Sequence, residues 1–383
     1  MKILHTSDLH IGKYIGTYDL KEDTEYVLNQ VVDTAIRERV EVVLISGDIF
    51  DRPNPSEEAI KMYVSFLKGL LDKNIKVIAI SGNHDSGIRL SAYKDILGKG
   101  YFVEGEFNSP MRKVSLNDEY GPVNFYMLPF FTPFIVKSNL KLEKGLENYD
   151  LAMDEIIKRE NIDTSQRNII LAHQFVAGFK FGGSEEDFSY SNGDEKNVAG
   201  VGIISLDKFQ NFDYVALGHI HASQKIKYDY VRYAGSLMKY SFDEVHQKKG
   251  MVEVTIDETG VSTQIIPLKP QKDLVKVVGK YEDVLHYPNN EDDFVAVELL
   301  DKQVIGHAYD FLKEKYPYLL QITYQSLEKL KTNQTASSLD VEKQSPIEIF
   351  KEFYEKMKGE AMSQESEEII QQLLEEVSED DAH

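Results

Sequence analysis

The feature that most constrains the fold is a repeated alternation of short apolar segments with longer amphipathic segments. The short segments have the length and composition of buried β-strands, and they cover residues 2–6, 42–46, 77–81, 168–172 and 214–217. The longer segments, residues 25–39 and 56–71, repeat apolar side chains at helical spacing. Strands and helices that alternate in this way form sheets covered by helices, so the sequence predicts an α/β fold.

Each of these predicted strands is followed at once by a cluster of polar residues. Ligands of α/β proteins bind beyond the carboxyl ends of strands, so we expect the clusters to meet in one site. Carboxylate, imidazole and amide oxygen groups bind divalent cations. One such cluster is common in turns and caps, but five together predict a metal site. The clusters are Asp8-Leu-His10, Gly47-Asp48-Ile-Phe-Asp51-Arg52, Gly82-Asn83-His84-Asp85, Ala172-His173-Gln174 and Gly218-His219-Ile-His221.

The spacing within the clusters favours two ions. In extended backbone, residues i and i+2 point the same way, so Asp8 and His10 can bind one ion together. His219 and His221 can do the same or divide between two ions, and the carboxylate of Asp48 can bridge them. Two ions about 3.5–4 Å apart clamp a phosphate and activate a bound water. The glycines at 47, 82 and 218 permit tight turns and close approach of the backbone to a ligand.

The five clusters, present in order across residues 8–221, resemble the motif series of the calcineurin-like metallophosphoesterases. Further segments resemble SbcD, the family of nuclease subunits of bacterial SbcCD complexes. These segments are His173-Gln-Phe-Val, Asp213-Tyr-Val-Ala-Leu-Gly-His-Ile-His221, Arg232-Tyr-Ala-Gly-Ser236 and Ser241-Phe-Asp-Glu244. The resemblance implies layered β-sheets flanked by helices, with a small α+β capping domain and a C-terminal helical tail.

The resemblance also implies a role for each site residue. One ion would be held by Asp8, His10 and His221, and the other by Asn83, His173 and His219, with Asp48 bridging them. His84 would be catalytic rather than a ligand, donating a proton to the leaving 3′ oxygen, and Asp51 could orient it. Manganese is the implied metal, whereas the donor set alone admits Mn, Fe or Zn.

The domain prediction follows the same resemblance. It places a metallophosphoesterase nuclease domain at 1–270, a capping domain at 271–330, a linker at 331–344 and a helical partner-docking segment at 345–378. Ser345-Pro-Ile-Glu348 has the form of a capping box with Pro at the first helical position. The implied partner of this segment is the coiled-coil base of an SbcC-like ATPase, and the alternative is that it folds back on its own domain.

Charge and composition limit these hypotheses. The chain of 383 residues has a net charge of −21, which by itself argues against a nucleic-acid-binding surface. From residue 331 onward there are 14 Asp or Glu and 5 Lys, so this tail carries −9 and residues 1–330 carry −12. Carboxylates that bind metal are neutralised by it. No apolar run reaches the roughly 18 residues of a membrane span, and cysteine is absent, which fits a cytoplasmic protein.

The predicted function is a Mn²⁺-dependent DNA nuclease that acts in DNA repair, recombination and replication. The resemblance implies exonuclease action on duplex ends and endonuclease action on hairpins or single strands. It also implies a homodimer that uses helices such as 56–71. Most of the apolar face of this helix is expected to lie in the core. A phosphomonoesterase or small-molecule phosphodiesterase is the alternative, favoured by Arg52 and the acidic charge. A metal-binding scaffold for an ATPase on DNA is the non-enzymatic alternative.

Several residues are predicted to have no part in the site. Asp23 and Asp33 are expected on solvated helix faces. The polar loop at 181–197 differs from them, because it could cover the site or contact the partner. Five histidines have no ligand context, namely His5, His246, His286, His307 and His383.

Overall fold

The structure is a computed structural model that describes residues 1–92, 100–177, 202–288 and 291–325. The predicted loop at 181–197, the linker at 331–344, the docking segment at 345–378 and His383 lie outside the described residues. No helix of the described ranges is long and apolar enough to cross a membrane.

The described strands and helices follow one another as the apolar pattern predicts, with additional short elements between them. The strands are β1 (Lys2–Thr6), β2 (Tyr14–Ile15), β3 (Tyr18–Asp19), β4 (Val42–Ser46), β5 (Lys76–Ile80), β6 (Tyr101–Glu104), β7 (Arg112–Asp118), β8 (Gly121–Leu128), β9 (Arg167–His173), β10 (Phe175–Ala177), β11 (Ile203–Ser205), β12 (Tyr214–Gly218), β13 (Gln224–Ile226), β14 (Tyr228–Tyr233), β15 (Gly250–Asp257), β16 (Gly260–Pro267), β17 (Leu274–Gly279), β18 (Phe294–Leu299) and β19 (Leu319–Tyr324). The helices are α1 (Lys21–Arg37), α2 (Glu57–Leu71), α3 (Gly87–Ser91), α4 (Pro133–Leu140), α5 (Tyr149–Ile157), α6 (Tyr281–Leu285) and α7 (Ala308–Lys315), with 3₁₀ turns at Leu206–Phe209 and Phe242–Glu244.

Two six-stranded sheets form the centre of the first unit. One has the strand order β16-β15-β1-β4-β5-β6 and the other has the order β13-β14-β12-β9-β8-β7. In the first sheet β1, β4, β5 and β6 are parallel, and in the second β8, β9, β12 and β14 are parallel. Antiparallel strands complete each sheet at its edges. The ends of the parallel strands therefore lie along one edge of each sheet.

The alternating side chains of these strands fill two kinds of core. Ile3, Leu44 and Ile78 of the first sheet pack against Phe125 and Leu171 of the second, so the two sheets face each other. The opposite face of the first sheet is covered by apolar side chains of α1 and α2, and that of the second by side chains of α4 and α5. The result is four layers, helix–sheet–sheet–helix, as expected for the calcineurin-like phosphoesterase fold.

Helix α2 shows how the local sequence fixes an element. The hydroxyl of Ser56 accepts a hydrogen bond from the Ala59 amide at 3.2 Å and caps the first turn. Tyr63, Phe66, Leu67 and Leu70 share one face with Ala59 and are buried in the core, which confirms that most of this face is core. Each such side chain contributes about 1.5–3 kcal/mol on burial.

The prediction of a solvated Asp23 is wrong. Its side chain on α1 is fully buried, and its Oδ1 lies 3.5 Å from the Nζ of Lys272, which is itself nearly buried. The Lys272 ammonium lies 5.7 Å from the centre of the Tyr18 ring. The carboxylate is therefore covered by a segment more than 240 residues away in sequence, which the local charge pattern around residue 23 does not reveal.

Strands β17, β18 and β19 form a three-stranded sheet with β18 in the centre. Contacts between Cα atoms divide the chain into two compact units. Of the described residues, the first unit holds 1–92, 100–177, 202–276, 291–296 and 316–320, and the second holds 277–288, 297–315 and 321–325. Within the second unit, α6 and α7 contact each other.

Candidate metal centre

The predicted ligands lie at the carboxyl ends of five parallel strands. Asp8 and His10 follow β1, Asp48 follows β4 and Asn83 follows β5, all in the first sheet. The second sheet supplies His173 at the end of β9, and His219 and His221 after β12. The site therefore lies where the edges of the two sheets meet, and every predicted ligand is found there.

The backbone of four of these residues adopts a conformation that side chains other than glycine rarely take. The φ angles are 52° at Asp8, 42° at His10, 49° at Asp48 and 100° at His219. Such left-handed conformations cost about 1–3 kcal/mol each and persist only where the surrounding structure imposes them. Their concentration at one site indicates that the strand ends are shaped for ligand geometry rather than for backbone stability.

One group of donor atoms is formed by Asp8, His10 and His221, whose ligand atoms lie within 4.8 Å of one another. The Nε2 atoms of His10 and His221 are 3.1 Å apart. All three side chains are buried. This is the set that the resemblance assigns to the first ion.

A second group surrounds Asp48. Its Oδ2 lies 3.2 Å from Nε2 of His173 and 3.7 Å from Nε2 of His10. The Oδ1 atom of Asn83 lies 3.0 Å from Nε2 of His173 and 3.1 Å from Nδ1 of His219. Asp48 thus lies between the two sets of predicted ligands, and Asp8 also falls within reach of Asp48 and His173.

Hydrogen bonds orient the ring nitrogens of two histidines toward the site. Nδ1 of His173 donates to the Ser46 carbonyl at 2.7 Å, and Nδ1 of His221 donates to Oε1 of Glu244 at 2.9 Å. When either ring is neutral, its Nε2 carries a lone pair that faces other acceptors. Lone pairs of imidazole, carboxylate and amide that converge in a buried space fit a divalent cation.

The charges in the site are strongly coupled. Burial alone would raise the pKa of the Asp48 carboxyl, but His173 and His10 hold it well below its usual range. Burial alone would lower the pKa of His173, but the negative charge of Asp48 raises it to about 10. Burial lowers the pKa of His10. The opposite shifts of Asp48 and His173 have one origin, the distance of 3.2 Å between the two side chains.

His84 lies beside the ligands, with its ring centre 4.8 Å from that of His10. Its amide donates to Oδ1 of Asp48 at 2.9 Å, and its Nδ1 donates to the main-chain carbonyl of Asp51 at 2.9 Å. The carboxylate of Asp51 instead accepts from Nζ of Lys13 at 2.9 Å. Asp51 was expected to orient the His84 ring, and it contacts this ring through its main-chain carbonyl rather than its carboxylate.

Asp85 is a half-buried residue for which the sequence predicted no role. Its carboxylate accepts hydrogen bonds from the amides of Gly82, Ile49 and Phe50 at 2.9 to 3.1 Å. It therefore joins the loop after β4 to the loop after β5. Burial, together with the nearby charge of Asp48, raises the pKa of Asp85 to about 7. Its position directly after Gly82-Asn83-His84 was the one sequence feature that could have indicated a role for Asp85.

Glu244 and Lys249 were also missed as functional residues. Glu244 belongs to the Ser241-Phe-Asp-Glu244 motif, whereas Lys249 lies outside every motif. Both are buried, and Glu244 contacts a predicted ligand directly. Burial alone would raise the pKa of the Glu244 carboxyl, but His221 and Lys249 lower it to about 2.

The three glycines of the motifs lie where the site leaves no room for a side chain. A Cβ atom at Gly47 would collide with the ring of His173, and one at Gly82 would collide with Oδ1 of Asp48. A Cβ atom at Gly218 would collide with the carbonyl of Ser46, which holds His173. Each glycine is therefore required by a specific ligand.

Arg52 does not join these donor groups. Its side chain is 77% exposed, and its Nε lies 3.6 Å from Oδ2 of Asp51. The geometry thus gives little support to the phosphatase alternative that Arg52 suggested.

Residues 1–223 match the family model described as calcineurin-like phosphoesterase. The chain belongs to this family. Residues 270–358 match a second model, described as type 5 capsule protein repressor C-terminal domain. The chain is also 30% identical to the SbcD subunit of the nuclease SbcCD from Staphylococcus epidermidis over 383 residues, which cover 98% of each protein. The resemblance that the motifs indicated is therefore confirmed at the level of the family and of its SbcD members.

Solved structures with similarity to the chain include TT1561 of Thermus thermophilus, at 12% identity and a TM-score of 0.39, covering 69% of this chain and 98% of that one. A dimetal phosphatase from Danio rerio is 14% identical with a TM-score of 0.42, covering 70% of this chain and 99% of that one.

Proposed function

We propose that this chain is a metal-dependent DNA nuclease that acts with an SbcC-like coiled-coil ATPase. The observation that carries the proposal is that all seven predicted ligands meet in one site in a chain that aligns over 98% of its length with a nuclease subunit. A protein that only bound an ATPase to DNA would have no need to keep a complete set of ligands.

In this proposal Asp8, His10 and His221 hold one ion, Asn83, His173 and His219 hold the other, and Asp48 bridges them. The resident ions are manganese. When bound, two such ions neutralise the phosphodiester and lower the pKa of a water molecule toward neutrality. The oxygen and nitrogen donors, without sulfur, are suited to this metal.

His84 supplies the proton of the leaving oxygen. Its Nδ1 is engaged by the Asp51 carbonyl at 2.9 Å, so Nε2 is the atom that would carry the proton to be transferred. The side chain is partly exposed, as are those of Asn83 and His219, so a phosphodiester can reach it. A histidine has the pKa range that general acid catalysis near neutral pH requires.

The domain arrangement and the partners belong to the same proposal. Residues 1–270 form the nuclease domain, 271–330 the capping domain, 331–344 a linker and 345–378 the segment that docks on the ATPase. The protein acts in the cytoplasm as a homodimer in DNA repair, recombination and replication. Its net charge of −21 fits a subunit that leaves extended DNA contacts to its partner.

The test is a hydrolysis assay with added Mn²⁺ that compares labelled duplex and hairpin DNA with an aryl phosphomonoester. The wild-type chain and His84→Ala are assayed alone and with an SbcC-like subunit. We expect DNA cleavage that is lost in His84→Ala although both ions remain bound.

Two other outcomes would contradict the proposal. Turnover of the phosphomonoester with DNA left intact, even beside the partner, would make the chain a phosphatase. Two bound ions without hydrolysis of either substrate would favour the scaffold function.

A further inference from the structure

A buried ion pair lies directly behind one predicted metal ligand. The Glu244 side chain is completely buried, and its Oε1 accepts a hydrogen bond from Nδ1 of His221 at 2.9 Å. Its other oxygen, Oε2, lies 2.5 Å from Nζ of Lys249, whose side chain is only 4% exposed. The carboxylate therefore contacts the imidazole and the ammonium at the same time.

Lys249 is surrounded by oxygen atoms. Besides Glu244, its Nζ lies 2.9 Å from the carbonyl of His221, 2.8 Å from Oγ of Ser236 and 2.7 Å from Oε1 of Gln247. The lysine thus contacts the main chain of His221 directly and its ring through Glu244. Both the backbone and the side chain of this ligand are fixed by one ion pair.

In the other ligand set, the group behind the histidine ring is uncharged. Nδ1 of His173 donates to a neutral acceptor, the carbonyl of Ser46, at 2.7 Å. A carboxylate behind an imidazole makes the ring a stronger electron donor to a metal than a carbonyl does, and fixes its tautomer. The two ions are therefore expected to differ in affinity for reasons that lie outside the ligands themselves.

We propose that Glu244 and Lys249 are positioning residues that set the affinity of one ion, the ion held by Asp8, His10 and His221. This inference rests on the metal centre of the proposed function. Glu244 holds the ring of His221 in the tautomer that presents Nε2 to the metal. Lys249 holds Glu244 in place through its second carboxylate oxygen and contacts the main-chain carbonyl of His221. The ion bound by His173 does not depend on this pair.

A purely structural role must be distinguished from this one. Removing one partner of a buried ion pair leaves an uncompensated charge and destabilises a protein, whereas replacing both with neutral groups is often tolerated. Glu244→Gln removes the charge behind His221 and leaves Lys249 unpaired. Glu244→Gln/Lys249→Met removes both charges, so its fold should recover while the ring of His221 still lacks a carboxylate.

The experiment titrates the metal-free full chain with Mn²⁺ and follows the electron paramagnetic resonance signal of the unbound ion, without DNA. The number of ions and both dissociation constants are measured for wild type, for both variants and for Glu104→Gln. Glu104 is a buried glutamate whose carboxylate lies 3.7 Å from Arg112, and it serves as the matched control. The melting temperature of each protein is measured in EDTA.

We expect two ions in the wild type, and one of them bound about 10- to 100-fold more weakly in both Glu244 variants. The second ion should stay within about threefold of its wild-type affinity, and Glu104→Gln should bind both ions normally. The melting temperature should fall in Glu244→Gln and recover in the double variant.

Recovery of wild-type Mn²⁺ affinity in the double variant together with its stability would overturn the proposal, because the pair would then act only on the fold. Equal weakening of both ions would also overturn it. Fewer than two ions in the wild type would instead refute the proposed two-metal centre, and this inference with it.

Discussion

The ring of His84 is held by the main-chain carbonyl of Asp51, which accepts a hydrogen bond from its Nδ1 at 2.9 Å. The side chain of Asp51 points to other groups. Its Oδ1 accepts from Lys13 and lies 3.6 Å from Nδ1 of His10. The orientation of His84 should therefore survive loss of the Asp51 carboxylate.

We predict that His84→Ala lowers kcat for DNA hydrolysis by about 10²- to 10⁴-fold, the usual contribution of a general acid. Mn²⁺ binding should not change, because His84 is not a proposed ligand. Asp51→Asn should lose less activity than His84→Ala, since the carbonyl that holds the His84 ring remains. Steady-state kinetics and metal content of the three proteins check this, and a His84→Ala protein that has lost an ion would contradict the assigned role.

Replacing Gly82 should disable the site through Asp48. A Cβ atom at residue 82 collides with the Asp48 carboxylate, so Gly82→Ala must displace this proposed bridging ligand. Overpacking of this kind costs about 1–3 kcal/mol, and we expect at least a tenfold loss of Mn²⁺ affinity. Gly145→Ala is the matched control, because a Cβ there meets no atom within 4 Å. Equal metal affinity in both variants would show that the Asp48 carboxylate can shift without consequence.

Removing the metal should lower stability. At a free Mn²⁺ concentration 100-fold above the dissociation constant, each site adds about 2.7 kcal/mol to the free energy of unfolding. Thermal unfolding with saturating Mn²⁺ and with EDTA measures this difference. In Asp48→Asn the gain from Mn²⁺ should shrink, because the variant lacks the bridging charge. An identical gain in wild type and variant would argue against a bridging Asp48.

The stability of the first unit should depend on pH through Asp118. Arg167 donates to both oxygens of Asp118, at 2.9 and 2.5 Å, and holds the pKa of this carboxyl well below its usual range. A lowered pKa stabilises the fold above the unfolded pKa of about 3.9, and the stabilisation is lost as the pH falls below it.

We therefore expect Asp118→Asn to reduce the free energy of unfolding by about 1–3 kcal/mol at pH 7 in EDTA. Below about pH 4 the difference between wild type and variant should shrink by up to about 1.4 kcal/mol per pH unit. Denaturant unfolding at pH 7, 5 and 3 measures it. A difference that stays constant across this range would mean that the Arg167 contact does not depend on the charge of Asp118.

The proposed homodimer predicts an effect of the outward face of α2. Ile60 and Val64 are 43% and 51% exposed, lie one helical turn apart and flank the buried face. If α2 contributes to the dimer, Ile60→Glu/Val64→Glu should shift the sedimentation coefficient to that of a monomer and leave the fold intact. Ile265→Glu, at a similarly exposed apolar position on β16, should not. A dimer that withstands the α2 change uses another surface.

The sequence predicted the strands that carry ligands to within about one residue, because these strands are continuous apolar runs buried on both faces. It missed β8, Gly121–Leu128, although this strand pairs with β9 in the second sheet. Gly121, Pro122 and Asn124 make its first half look like a loop. Asn124 is nevertheless buried, because its amide nitrogen donates to Asn168 and Gln166.

The site was predicted as a set of ligands, but not the groups behind them. Motif spacing reveals residues that follow strands, and Asp8, Asp48 and His173 all do. Glu244 and Lys249 act through a hydrogen bond and an ion pair that exist only after the chain between residues 221 and 249 has folded back on itself. Asp23 was misjudged for the same reason, since its partner Lys272 is distant in sequence.

The ligands Asp48 and His173 come from different sheets, yet their donor atoms lie 3.2 Å apart. Distances from a ligand to a metal tolerate changes of only about 0.2 Å. Binding of the two ions would therefore depend on the spacing between the two sheets. Any partner that pushed one sheet past the other by an ångström would stop hydrolysis while every strand remained folded, and relaxation of that displacement would restore it.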